Sequence, residues 1–195
     1  MPLEKPTRAR VVEALNLLGQ LAAQEPVALE LCIYGGSAMM LAYGSRASTK
    51  DVDAMVRPSE VAERLARQVA GRLGLHESWL NNEVRRFVSD LGTFAPLQIH
   101  ELEAAAQQHL KITRPSAGYL LAMKCMACRS ALPGYPGDVE DIRFLLEKMN
   151  LRTLDEVERQ IERFYPLDAL TTQARGTIEA LLARRAGDAT TGPHD

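Results

Sequence analysis

The chain has 195 residues, of which 46% are hydrophobic and 25% are charged, a composition typical of a folded protein with a sizeable core. Its net charge of −2 excludes a strongly basic protein that holds nucleic acid by its overall field. No stretch approaches the roughly 18 consecutive apolar residues of a membrane span, and the first residues contain no apolar signal core. The three cysteines, Cys32, Cys125 and Cys128, favour reduced thiols. We therefore expect a cytoplasmic protein that makes no contact with a membrane.

Short strands and helices are predicted to alternate in the first half of the chain. Apolar periodicity, interrupted by Gly and Pro, predicts helices at residues 7–24, 37–43 and 59–73 and strands at residues 29–34 and 51–56. Ser59 is the expected N-cap of the third helix. The signals weaken after His76, where the predicted elements are strands at residues 86–88, 97–99 and 110–113 and a short helix at 102–108.

The second half is predicted to be helical. Helices are expected at residues 116–130, 138–149, 153–164 and 167–185, with a loop rich in Pro and Gly at 132–137. Thr153 and Glu156 fit a capping box at the start of the third of these helices. The prediction is an α+β protein with a small mixed sheet. Residues 1–115 form its core, residues 116–186 a helical C-terminal portion packed on the core, and residues 187–195 a disordered tail.

A glycine turn and a pair of aspartates are the first candidate site residues. Gly35 and Gly36 follow a predicted strand, so the backbone can approach a ligand and the next helix can offer N–H groups to an anion, with the Ser37 hydroxyl as a further contact. Asp51 and Asp53 lie two residues apart on a predicted strand, so their carboxylates share a face. A divalent cation would relieve their repulsion, and Mg²⁺ prefers such ligands. Taken singly, the glycines also fit an ordinary turn and the aspartates a solvated strand edge.

In combination, these residues resemble the signature of the nucleotidyltransferase (polymerase beta-like) fold, a Gly-Gly or Gly-Ser turn followed by Asp-x-Asp on the next strand. The closer resemblance is to the abortive-infection class of nucleotidyltransferase-like proteins, which includes toxins of type IV toxin–antitoxin pairs. Their approximate pattern, Gly-Gly-Ser/Thr-Ala and then Arg-x-Ser/Thr-x-Asp-Ile/Leu/Val-Asp, is similar to residues 35–38 and 46–53 here. The resemblance covers residues 31–166, and it implies that Arg46 and Thr49 also contact the nucleotide.

The helical half extends this resemblance. Lys124 is the only charged residue within residues 117–128, where its ammonium must reach water by snorkelling or else meet an anion. The abortive-infection class carries a lysine in an apolar helix, then an arginine, then a helix with Asp-x-x-Asp, and Lys124, Arg129, Asp138 and Asp141 match this order. The resemblance implies that Lys124 neutralises developing charge, that Arg129 contacts the nucleotide, and that Asp138 or Asp141 orients Lys124 or assists the metal. Asp138 also fits a helix N-cap.

Trp79 and Asn81 resemble a further motif of the same class. The resemblance implies that the indole of Trp79 stacks on a base and that Asn81 reads the edge of that base. A core tryptophan beside a turn is the alternative.

The implied activity is transfer of a nucleotidyl group from an NTP to an acceptor, with Mg²⁺ or Mn²⁺ held by Asp51 and Asp53. By resemblance the acceptor is tRNA or a protein, and a cognate antitoxin is a further expected partner. Active nucleotidyltransferases often have a third carboxylate on a later strand. The candidates for it are Glu101, Asp90 and the two aspartates of the helical half, and none lies in a convincing strand. The alternative is therefore a catalytically inactive module of the same fold that binds a nucleotide or a partner.

Overall fold

The computed structural model describes residues 5–130 and 137–190, with side chains described as far as residue 186. Its architecture is α+β with a five-stranded mixed sheet, which confirms the predicted class. The chain divides into two compact units: Met1–Phe87 with Phe94–Pro115, and Val88–Thr93 with Ser116–Asp195. None of the helices in the described ranges combines the length and the apolar character that crossing a membrane requires.

The first unit contains the sheet and four α-helices. The helices are α1 (Arg8–Ala22), α2 (Gly35–Tyr43), α3 (Ser59–Leu73) and α4 (Ala104–His109), and the strands are β1 (Leu29–Ile33), β2 (Val52–Arg57), β3 (Leu80–Asn81), β4 (Phe94–Pro96) and β5 (Leu110–Pro115). The strand order is β3-β2-β1-β5-β4. Strand β1 is antiparallel to β2 and parallel to β5, β3 is parallel to β2, and β4 is antiparallel to β5.

The sheet of the first unit has one buried face and one more accessible face. Alternate strand positions are apolar and buried: Leu29, Leu31, Ile33, Val52, Ala54, Leu110 and Ile112. Helix α3 packs against β2, α4 packs against β5, and α1 packs against both helices. Between the buried positions lie the half-buried residues Cys32, Asp53, Met55 and Thr113. Since successive side chains of a strand point to opposite faces, these four belong to the accessible face.

The second unit is helical, as predicted. Its α-helices are α5 (Ala117–Ala127), α6 (Val139–Lys148), α7 (Leu154–Glu162) and α8 (Thr172–Thr190), and α5 packs against the other three. The Ser116 hydroxyl caps α5 by accepting a hydrogen bond from the Tyr119 N–H at 3.2 Å. The capping box predicted for Thr153 and Glu156 is confirmed.

The structure differs from the predictions mainly where the apolar periodicity is weak. Residues Glu83–Phe87 form a 3₁₀ helix in place of a strand at 86–88, and the strand expected at 97–99 lies at Phe94–Pro96. Pro58, and not Ser59, occupies the N-cap of α3. The last helix begins at Thr172, after a separate 3₁₀ turn at Leu167–Ala169, and it continues four residues into the segment for which we expected disorder. The remainder of that segment, and residues 132–136 of the predicted loop at 132–137, lie outside the described residues.

Three other differences concern boundaries. Helix α2 begins at Gly35 and not at Ser37, so both glycines lie in its first turn and not before it. Asp51 lies immediately before β2 and not within it, and the segment Val88–Thr93, which we assigned to the core, belongs to the second unit.

Candidate functional site

The glycine turn lies directly beside the Asp53 carboxylate. Tyr34 follows β1 directly and donates its N–H to the Asp53 carbonyl at 2.8 Å, so that it lies opposite Asp53 on the neighbouring strand. Gly35, the next residue, has a φ of +59°, which an L side chain rarely adopts. A Cβ at Gly35 would also lie only 3.0 Å from Oδ2 of Asp53. The backbone conformation therefore favours glycine here, and the carboxylate leaves little room for a larger side chain.

On its other side the turn meets a guanidinium and a hydroxyl. A Cβ at Gly36 would lie 3.2 Å from Oγ1 of Thr49 and 3.4 Å from Nη1 of Arg46. Thr49 is held in place because its N–H donates to the Pro6 carbonyl at 3.0 Å and its hydroxyl donates to the Asp51 carbonyl at 2.9 Å. The loop between α2 and β2 thus brings a positive charge against the glycine backbone.

The N-terminus of α2 adds backbone donors to this place. Its N-cap, Tyr34, makes no side-chain capping hydrogen bond, and the first N–H groups of a helix have no partner within the helix. The Ser37 hydroxyl is already engaged, since it donates to the Tyr34 carbonyl at 2.8 Å, and the residue is 1% exposed. The chemistry offered to an anion is therefore the backbone of Gly36 and Ser37 rather than the serine hydroxyl.

Asp51 and Asp53 supply a pair of hard oxygen ligands. Both residues are half-buried, whereas Val52 between them and Ala54 beyond them are buried. This burial pattern is the one expected of carboxylates on one face, but Asp51 precedes β2, so a shared face stays a prediction. Two carboxylates, completed by phosphate oxygens and water, are the ligand set that Mg²⁺ or Mn²⁺ commonly takes, so these residues fit such an ion. Among the described residues, no group of three or more His, Cys, Asp and Glu side chains is arranged to hold a metal by itself.

The strand next to β2 carries an amide where a third carboxylate would be useful. Asn81 on β3 pairs directly with Asp53. Its Oδ1 accepts a hydrogen bond from the Glu83 N–H at 3.0 Å, and its Nδ2 is buried with no hydrogen-bond partner among the described atoms. Of the other candidates, Glu101 is paired with Arg8 at 2.8 Å, and Asp90 is an exposed residue of the second unit.

Trp79 is part of the core of the first unit. It is 3% exposed, and its Nε1 donates to the Ala66 carbonyl of α3 at 3.0 Å. The indole is thus occupied by packing against α3, which favours the alternative of a core tryptophan over stacking on a base.

In the second unit, Lys124 is the centre of a buried ion-pair cluster. Its Nζ lies 2.7 Å from Oδ1 of Asp138 and 2.7 Å from Oδ2 of Asp141, and the three side chains are between 0 and 4% exposed. The Arg129 Nε donates to Oδ2 of Asp138 at 2.8 Å, and the Arg129 backbone N–H donates to the same oxygen at 3.0 Å. The snorkelling alternative for Lys124 is therefore wrong, and both aspartates, not one of them, contact the ammonium.

The charge state of Asp138 follows from this cluster. Burial by itself raises the pKa of this carboxyl, but the hydrogen bonds and positive charges of Arg129 and Lys124 outweigh burial and lower the pKa to about 2. Asp138 occupies the N-cap position of α6, yet its side chain makes no capping hydrogen bond. Its carboxylate serves the ion pairs and not the helix end. Lys124, Asp138 and Asp141 are thus buried together, and Arg129, whose side chain is 59% exposed, completes the charge balance from the surface of the second unit.

Sequence reasoning missed two aromatic residues of the first unit. Tyr34 is 2% exposed and Phe94 is 48% exposed, and their ring centroids lie 6.3 Å apart with the planes at 83°. Sequence offered only the adjacency of Tyr34 to Gly35 as a signal, because the pairing of β4 with β5 connects residues far apart in the chain.

Comparison of the chain with protein-family models, with curated proteins and with solved structures found no match.

Proposed function

We propose that this protein is a metal-dependent nucleotidyltransferase, with its site in the first unit at the first turn of α2, directly after β1. The observation that carries the proposal is the surroundings of Gly35 and Gly36: the glycine backbone is flanked by the Asp53 carboxylate on one side and by Arg46 and Thr49 on the other. A phosphate chain needs donors and positive charge, and a metal needs carboxylates, at adjacent points. This turn offers both within one residue of each other.

The proposed roles follow from these contacts. The backbone N–H groups at the start of α2 and the Arg46 guanidinium would bind the β- and γ-phosphates of an NTP. Asp51 and Asp53 would hold Mg²⁺ or Mn²⁺, which when bound supplies charge neutralisation at the α-phosphate. The acceptor oxygen attacks the α-phosphorus, the bond from that phosphorus to the bridging oxygen of the β-phosphate breaks, pyrophosphate leaves, and the acceptor proton passes to water.

The polymerase beta-like fold and membership of the abortive-infection class belong to this proposal. It is supported by the mixed sheet, on which the glycine turn follows β1 and the aspartates lie at the start of the antiparallel neighbour β2. A tRNA or protein acceptor and a cognate antitoxin are the partners that the proposal implies. In this proposal Lys124, Asp138 and Asp141 have a structural role and not a catalytic one, because their mutual ion pairs stabilise the second unit.

The experiment is transfer of label from each of the four α-³²P-labelled NTPs, with Mg²⁺, to total tRNA and to cell protein. Wild type, Asp53→Ala and a control variant, Asp168→Ala, are compared; Asp168 is an exposed aspartate of the second unit. We expect transfer by wild type and the control, and a loss of at least about 100-fold in Asp53→Ala because charge neutralisation by the metal is lost. Transfer that Asp53→Ala leaves intact would refute the assignment of this site.

A second candidate function is a nucleotide-binding module that does not turn over. The observation that favours it is Asn81, an amide directly opposite Asp53 where an acid would complete the ligand set. Wild type would then bind an NTP through the same turn but transfer no label to any acceptor.

A further inference from the structure

The accessible face of the sheet carries an exposed aromatic ring at the far edge from β3. Phe94 on β4 pairs with Pro115, which lies two residues after Thr113 on β5. Thr113 pairs with Cys32 on β1, and Cys32 pairs with Met55 on β2, two residues after Asp53. Residues paired across strands share a face, as do residues two apart on one strand. Phe94 and Asp53 therefore lie on the same face of the sheet.

Tyr34 connects these two positions. It lies opposite Asp53 through its N–H, and its ring meets the ring of Phe94 nearly at right angles, with 6.3 Å between the centroids. Gly35 and Gly36 follow Tyr34 directly, so the glycine turn is within two residues of the aromatic contact. Strands β2 and β4 are three strand spacings apart, about 14 Å. A phosphate held near Asp53, a ribose and a base above the Phe94 ring together span such a distance.

The character of the ring indicates what it would bind. An exposed phenylalanine, 48% exposed here, offers a flat apolar surface but no hydrogen-bonding group, so it can stack on a base without reading its edge. Trp79, for which the family resemblance implies stacking, is occupied by its contact with α3. We propose that Phe94 is the residue on which the base of the bound NTP stacks, with purines held more tightly than pyrimidines because they offer a larger stacking surface. This inference rests on the proposed function.

The test separates the base from the phosphates. Binding of ATP, CTP and inorganic tripolyphosphate is measured by calorimetry in the presence of Mg²⁺ for wild type, Phe94→Ala, Phe94→Tyr and Phe87→Ala. Phe87 is the matched control, because it is 61% exposed and follows β3 at the opposite edge of the sheet. We expect Phe94→Ala to weaken ATP binding by about 5- to 100-fold and to leave tripolyphosphate binding unchanged. Phe94→Tyr should bind ATP as wild type does, and so should Phe87→Ala. Circular dichroism melting checks that each variant is folded.

Three results would overturn the inference, and they point to different faults. Unchanged ATP affinity in Phe94→Ala, with wild type binding ATP, means that the base lies elsewhere although the site is sound. Equal loss of ATP and tripolyphosphate binding means that Phe94 supports the glycine turn and does not contact the base. Failure of folded wild type to bind either ligand removes the proposed function together with the stacking role.

Discussion

Replacing Lys124 by methionine tests whether the ion-pair cluster of the second unit holds that unit together. Methionine fills a similar volume but removes the charge, so Asp138 and Asp141 each lose an ammonium contact of 2.7 Å. Asp138 keeps its hydrogen bonds from Arg129. Asp141 is 1% exposed, so water does not replace the lost contact. Removing one partner of a buried ion pair typically costs about 3–5 kcal/mol, because the other partner loses an opposite charge in a poorly solvated place.

The assay is unfolding in urea, monitored by circular dichroism, because the loss of the helices in the second unit changes the helical signal strongly. Lys148→Met is the matched control, because Lys148 is an exposed lysine near the end of α6 in the same unit; we expect a change within about 0.5 kcal/mol. The double variant Lys124→Met, Asp141→Asn should be more stable than Lys124→Met alone, because the remaining buried charge is then neutralised.

Two results would refute this reasoning. A loss below about 1 kcal/mol in Lys124→Met would mean that the ammonium is not compensating buried charge. Strictly additive losses in the double variant would mean that Lys124 and Asp141 do not interact, whatever the distance between them.

The remaining predictions concern the glycine turn, pH and the third ligand. Gly35→Ala should destabilise the protein by at least about 1–2 kcal/mol, because alanine at a φ of +59° is strained, and should abolish binding of ATP with Mg²⁺ in calorimetry. The pKa of Asp138 is lowered to about 2 from an ordinary value of 3.8, so its stabilisation is complete above pH 4 and is lost as the pH falls through 2. The free energy of unfolding in urea should therefore fall by about 2 kcal/mol between pH 5 and pH 2 because of this group. Asp138→Asn should lack that part of the fall. Asn81→Asp adds an acid opposite Asp53, so the melting temperature should rise more steeply with Mn²⁺ concentration than it does in wild type. Equal slopes for the two proteins would count against a metal at this place.

Local pattern predicted the elements that depend on local interactions. The apolar residues of helix α1 recur at helical spacing, and the boundaries of the helix differ by one or two residues from those expected. The capping box of Thr153 and Glu156 closes within one turn and is confirmed. The strand predicted at residues 86–88 is wrong, because Glu83–Phe87 forms a 3₁₀ helix; its few apolar residues show neither a period of two nor one of 3.6, so periodicity could not identify it.

The candidate site divides in the same way. The glycine turn and the aspartates were found because they are close in sequence, but their contacts depend on a loop that places Arg46 against Gly36. The burial of Trp79 depends on a carbonyl of α3, and the pairing of Lys124 with Asp138 joins residues 14 apart. Sequence periodicity carries no information about such long-range contacts. The alternatives for Trp79 and Lys124 could therefore be distinguished only in the folded structure.

The different surroundings of Asp53 and Lys124 decide how the transfer experiment must be interpreted. Lys124 is enclosed by side chains of its own unit, so its replacement reaches any assay first through stability. Asp53 is half-buried beside a glycine turn, at the place that the proposal gives to the metal, so its replacement by alanine tests the chemistry once melting shows that the variant is folded. A Lys124 variant that fails to transfer label is therefore evidence about chemistry only if its folded fraction is restored, for instance by adding Asp141→Asn. If the restored double variant transfers label at the wild-type rate, Lys124 acts in folding. If it is stable yet inactive while Asp141→Asn alone is active, the charge of Lys124 is needed for the reaction and its role is not only structural.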